Sequence, residues 1–161
     1  MCQLRWMSII LATTALLFLT SSCSPEEQAQ KEVAQLFKKA IPPESACLSD
    51  PYVSGVGNNP RNCRSASLEC VVGSSLARQA IQEYYAQQLG AGWVSADTQD
   101  PGMHSWRKSG AVLDKMVVIE YEPKYLPTDS RPGQEFQKAR LSHTTAYLLT
   151  VMANKCTGPF P

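Results

Sequence analysis

The chain has 161 residues, with 15 Lys and Arg against 14 Asp and Glu, and 43% of the residues are hydrophobic. Charge this close to balance supplies no footprint for nucleic acid or for a polybasic membrane patch, so no nucleic-acid partner is expected. Apolar content is ample for one core, which excludes a wholly disordered chain, and the length is that of a single domain.

Residues 1–8 carry one positive charge, Arg5; an uncharged stretch rich in Ile, Leu and Phe fills 9–19, and Thr20, Ser21 and Ser22 follow. That order predicts a secretory signal peptide. The apolar core is eleven residues, against roughly 20 needed to span a bilayer, which disfavours a permanent transmembrane helix. Leu19-Thr20-Ser21-Ser22-Cys23 resembles the lipobox of bacterial lipoproteins, with Thr20 in the slot where that family favours leucine. The resemblance covers residues 1–24. It implies cleavage before Cys23 and lipid on its thiol, and Ser24 after it implies forwarding to the outer membrane of a Gram-negative envelope. The other reading is ordinary secretion with a spare cysteine, but an unpaired exposed thiol is a liability in an exported protein. The expected organisation is a lipoprotein signal peptide over 1–22, an anchor segment with a short amphipathic helix over 23–45, and a single α+β domain over 46–161. Loss of 1–22 removes Arg5 and leaves 14 basic against 14 acidic residues.

Pro25-Glu26-Glu27 starts a helix, and Ala29, Val33, Leu36, Phe37 and Ala40 recur at helical spacing before Pro42-Pro43 stops it. This helix, 26–40, either packs on the domain or stands as a spacer from the membrane. Residues 42–65 are crowded with Pro, Gly and Asn and read as loop, with a short strand near 46–48. Alternation over 67–72 predicts strand one, and Gly73-Ser74-Ser75 offers a turn and a helix cap. Leu76, Ala80, Ile81, Tyr84, Tyr85 and Leu89 form one stripe of a helix that Gly90 ends. Strand two follows at 93–94, strand three at 103–108, strand four at 115–122 and strand five at 144–153. The last is apolar on both faces and therefore expected to be central. Between strands four and five lies an insertion, 123–143, with three prolines and a helical turn near 136–141. Strands in series around one long helix predict an α+β fold: an antiparallel sheet of about five strands, one long helix across one face, and a short N-terminal helix before it.

Tyr84-Tyr85, Leu89 and Gly90-Ala91-Gly92-Trp93, set between a strand and hairpin strands, are similar to small α+β envelope-lipoprotein domains. They also resemble the helix-grip domains in lipoproteins of the outer-membrane assembly machinery. The likeness runs from residue 67 to 153 and implies core packing for Tyr84, Tyr85 and Trp93, with no activity attached.

Catalytic chemistry needs polar groups that converge. His104 and His143 are the only histidines, and no cysteine or carboxylate stands at ligand spacing from either, so no metal site is expected. Ser74 and Ser75 lack the Gly-x-Ser-x-Gly pattern of a nucleophile elbow, since Leu76 and Ala77 stand where its second glycine would be. Glu69, Glu120 and Glu122 are strand carboxylates with no motif around them, and no phosphate loop or dinucleotide fingerprint is present, so no cofactor is expected. Tyr125 and Phe136 in the proline-rich insertion are the candidate partner-binding loop, because an exposed aromatic there calls for a partner.

These readings converge on a lipid-anchored, non-enzymatic lipoprotein of a bacterial cell envelope, held to the outer membrane on its periplasmic side and acting as a binding or assembly module. Its partners would be the bilayer, through Cys23, and a protein or envelope component. One alternative is a small inhibitor or immunity protein against an envelope enzyme or toxin; another is a hydrolase with a dispersed site. Cys2 leaves with the signal peptide, so Cys47, Cys63, Cys70 and Cys156 form an even set suited to two disulfides in an oxidising compartment. If strand five lies antiparallel beside strand one, Cys156 comes near Cys63 and Cys70 falls to Cys47. That favours Cys63–Cys156 with Cys47–Cys70 over Cys47–Cys63 with Cys70–Cys156.

Overall fold

A computed structural model describes residues 25–54, 63–96, 100–111 and 113–156; Cys23 and the signal segment lie outside them. The first element is helix α1, Pro25–Ala40. Ala29, Val33, Phe37 and Ala40 are all buried, at intervals of four, four and three, so one stripe of the helix enters the core. Of the two roles open to this helix, the structure shows packing on the domain. Lys115 Nζ meets Glu32 Oε2 at 2.5 Å, and the Tyr84 hydroxyl donates to the Lys39 carbonyl at 2.9 Å, so the middle and the C-terminal end of the helix are tied down.

Strands β1 (Ser45–Cys47), β2 (Tyr52–Ser54) and β3 (Cys63–Ser74) come next, then helix α2 (Arg78–Gln88). Strands β4 (Val94–Ala96), β5 (Met103–Lys108) and β6 (Asp114–Glu120) form a meander, followed by helix α3 (Arg131–Ser142) and strand β7 (Thr145–Cys156). The strand order is β1-β3-β7-β6-β5-β4, with β2 also on β3, and every pairing is antiparallel. The fold is thus α+β on an antiparallel sheet, and β7 is central. It is larger than the expected sheet of about five strands with one long helix and a short N-terminal helix: seven strands and three helices are present among the described residues. Strand β2 follows Pro51 inside a segment whose composition reads as loop; pairing of Tyr52–Ser54 with 67–69 of β3 overrides that local preference.

The expectation of helix on one face also needs correction. Helices α1 and α2 cover one face, burying Cys70 and Val72 of β3 with Tyr147, Leu149 and Val151 of β7. Helix α3 covers part of the other face, where Phe136 and Ala139 pack with Val71, Ala146 and Leu148. The sequence indicates only a helical turn at 136–141; α3 is longer, reaching back to Arg131 through Pro132 and Gly133. Here Pro132 occupies the first turn, where its missing N–H costs nothing, and the Ser130 hydroxyl caps the helix by accepting from the Gly133 N–H at 3.2 Å. Gly133 lies so close to the Pro127 carbonyl that any Cβ would collide with it.

Helix α2 begins at Arg78 after an Ala77 cap that makes no side-chain bond. Ser74 and Ser75, expected as caps, are used otherwise. Ser74 belongs to β3 and accepts from the Ser45 hydroxyl (2.7 Å) and the Leu76 N–H (3.1 Å), while Ser75 donates to Glu44 (2.8 Å). Ile81 and Tyr85 are the fully buried residues of the stripe; Leu76, Tyr84 and Leu89 are half-buried at its margin. Gly90, at φ 69°, ends the helix in the left-handed conformation that glycine adopts freely.

Cys47 and Cys70 are disulfide-bonded, with Cα atoms 5.9 Å apart, tying edge strand β1 to β3. The β3–β7 register sets Cys63 opposite Cys156; the side chains of these two lie outside the described part. Directly opposed antiparallel positions hold their Cβ atoms about 4.5–5.5 Å apart, within reach of a disulfide after small adjustment. Peptide mapping of unreduced protein should therefore yield Cys47–Cys70 and Cys63–Cys156, each closure contributing about 2–4 kcal/mol. A Cys70–Cys156 peptide, or four free thiols, would contradict this pairing.

Candidate binding cleft

The sheet face that carries α3 is covered only at one end. On β7, Leu148, Thr150 and Met152 share this face, and the register sets Thr150 between Glu69 of β3 and Val118 of β6. One step further, Leu148 stands beside Glu120. These residues, with Pro123, Tyr125 and Leu126 from the segment after β6, line a cavity of about 310 Å³. Val118 and Thr150 are buried and form its floor, whereas Tyr125 is 94% exposed at its edge.

The segment that carries Tyr125 is held in place from both sides. Lys124 Nζ pairs with Asp100 Oδ2 at 2.6 Å, and the same carboxylate accepts the Gly102 N–H at 2.9 Å. These two bonds hold the Asp100 carboxyl below its ordinary range, the Lys124 bond contributing most. At the far end the Ser130 hydroxyl donates to the Pro127 carbonyl at 2.6 Å, and Leu126 packs against the α3 core. Tyr125 is therefore an exposed aromatic on an anchored loop, the arrangement that binding surfaces favour.

Its expected companion does not join it. Phe136 is buried among Val71, Ala139 and Leu148 and anchors α3 to the sheet; it is unavailable to a partner. The sequence indicates only a helical turn at 136–141 within this proline-rich insertion, but the i, i+3 spacing of Gly133, Phe136 and Ala139 marks a longer buried helical stripe. The residues that sequence reasoning missed as a group are Glu69, Glu120, Thr150 and Met152. A signal for one of them, Thr150, is present. Along β7 the odd positions 147–153 are wholly apolar, whereas the even ones include Thr150 and Asn154, which marks the even face as partly uncovered.

Glu120 is half-buried, and its carboxyl is pushed above the usual carboxylate range, first by desolvation and then by the negative charges of Glu69 and Asp100. The other polar candidates are engaged elsewhere. His104 shares a hydrogen bond with Gln82 (2.9 Å) and stacks against Trp106, while His143 bonds Ser142 (2.9 Å). Glu122 pairs with Arg78 at 3.8 Å. The hydroxyls of Tyr85 and Tyr147 lie 3.4 Å apart, and burial raises the pKa of both phenols. Among the described residues no three His, Cys, Asp or Glu gather as a metal would require, and no helix is long and apolar enough to cross a membrane. A second cavity, about 280 Å³, opens between Arg107, Lys108, Asp114 and Lys115. Both of its lysines are engaged, Lys108 by the Ala91 carbonyl and Lys115 by Glu32. Comparison with known protein families, with curated proteins and with solved structures returned no match.

Two stability measurements test this description. Phe136→Ala should cost about 3–5 kcal/mol in urea unfolding, as large-to-small core changes do, whereas Tyr125→Ala should stay within about 0.5 kcal/mol. Equal effects would show that the two aromatics are misassigned. Glu120 gives the second. The folded protein holds this proton more tightly than the unfolded chain, so the ionised carboxylate lowers stability above the folded pKa, and the loss is relieved as pH falls. Glu120→Gln should therefore raise the urea midpoint at pH 7, with the gain disappearing below about pH 4. A variant less stable than the parent at pH 7 would indicate that the carboxylate is stabilised instead.

Proposed function

We propose that this chain is a lipid-anchored, non-enzymatic binding module of a bacterial cell envelope, engaging its partner through the cleft beside Tyr125. The observation that carries the proposal is the exposed aromatic on a loop pinned at both ends over a partly apolar cavity. Binding is favoured over catalysis because the histidines and Ser74 already have structural hydrogen-bond partners away from the cleft. The lipobox-like 19–23 supports the anchor, and the Cys47–Cys70 bond suits an oxidising compartment. Helix α1 begins two residues beyond Cys23 and packs on the sheet face opposite the cleft. A lipid at Cys23 would tether the α1 side and leave the cleft open to the aqueous phase.

Inhibition of an envelope enzyme is a second reading, favoured by the same protruding Tyr125, since an inhibitor presents such a side chain to its target. A photo-crosslinking residue at position 125 in cells separates the two: under the first reading the captured protein is a structural or assembly component, under the second an enzyme whose activity the purified chain suppresses. For the anchor, Cys23→Ser should release the protein from the membrane fraction and abolish acyl labelling. Retention of both in that variant would refute lipidation.

A further inference from the structure

The cleft combines three features. Its walls are aliphatic (Val118, Leu126, Leu148 and Met152), two carboxylates, Glu69 and Glu120, border it, and one exposed phenol ring stands at the rim. We propose that it takes the side chain of a lysine or arginine presented by a protein partner, an inference that rests on reading the cleft as the binding site. Long cationic side chains lay their methylene stems on apolar surface while the head group seeks water or an anion. Carboxylates give that head group a charge-assisted bond, and an aromatic face adds cation–π attraction.

Size suits a single side chain. A volume of about 310 Å³ sits at the bottom of the range of roughly 300–1,000 Å³ found for small-molecule pockets. Charge selects the sign. An anion would face Glu69 and Glu120 together, and a neutral apolar group would desolvate Glu120 further without compensating it. The described residues lining the cleft include no lysine or arginine, and Lys124, next to Tyr125 at the rim, is committed to Asp100. An incoming cation would also relieve the like-charge and desolvation effects that hold the Glu120 carboxyl high.

The test uses the full chain in detergent micelles, with its methionine and leucine methyls labelled for NMR, titrated with acetyl-Leu-Lys-Leu-amide. Saturable shifts should appear at Met152, Leu148 and Leu126. Replacing the lysine by norleucine should weaken binding at least fivefold, and Glu120→Gln should weaken the lysine peptide by a similar factor. Leu149, on the opposite face, should keep its parent resonance in that variant and report an intact fold. If the norleucine peptide binds as well as the lysine peptide, the charge assignment is wrong while the cleft stands as a binding site. If neither peptide moves a cleft methyl, the proposal and the binding reading of the cleft fall together.

Discussion

The antiparallel pairing of β3 with β7 runs unbroken through twelve register positions, from Cys63 opposite Cys156 to Ser74 opposite Thr145. Everything else in the domain is arranged against it. Because side chains alternate across a strand, this one register assigns Cys70 and Val72 with Leu149 and Val151 to the α1–α2 face, and Val71 with Leu148 to the α3 face. A slip of one residue would turn one strand's set over and put Glu69 or Thr150 into the larger core. Residues on these strands are far apart in the chain, so their pairing closes a long loop before the meander and both helices between them can find a platform.

The two faces are treated unequally, and the inequality creates the cleft. One face is closed by α1 and α2 together, with Tyr85 stacked on Trp106 at 5.1 Å between ring centres. The other receives one helix among the described residues, α3, which packs on Val71, Ala146 and Leu148. The remainder of that face stays partly open, so its strands carry Glu69, Glu120 and Thr150 where the covered face carries aliphatics. Polar groups there keep access to water that the closed face would deny them.

Loop and helix within the 123–143 insertion divide the labour. Phe136 faces inward and fixes α3, and Leu126 rests against the same cluster, so the intervening segment cannot lift away. Asp100 reaches from the β4–β5 connection to hold Lys124. Tyr125, immediately beside that ion pair, is left projecting into solvent. A rigid loop presents an aromatic without a large ordering cost on binding, which is where exposed loop residues gain affinity.

Much of the fold was legible along the chain because it rests on local periodicity. The α1 stripe, the Ile81–Tyr85 face of α2, the span of β5 and the central place of β7 each follow from spacing or composition over a few turns or pleats. The Cys47–Cys70 bond followed from strand order, a step longer but of the same kind. What the sequence alone could not decide was set by contacts between distant segments. Strand β2 exists because β3 offers it an edge, α3 extends the turn expected at 136–141 back through Pro132 and Gly133 to help close the second face, and Phe136 and Tyr125, alike in composition, part ways because only one lies over Val71. The cleft is the clearest instance. Glu69, Glu120 and Thr150 come from three strands up to 81 positions apart in the chain, and no local pattern records that pleat and register will set them on one face. Periodicity reports which side of its own element a residue occupies; only tertiary packing decides whether that side is covered.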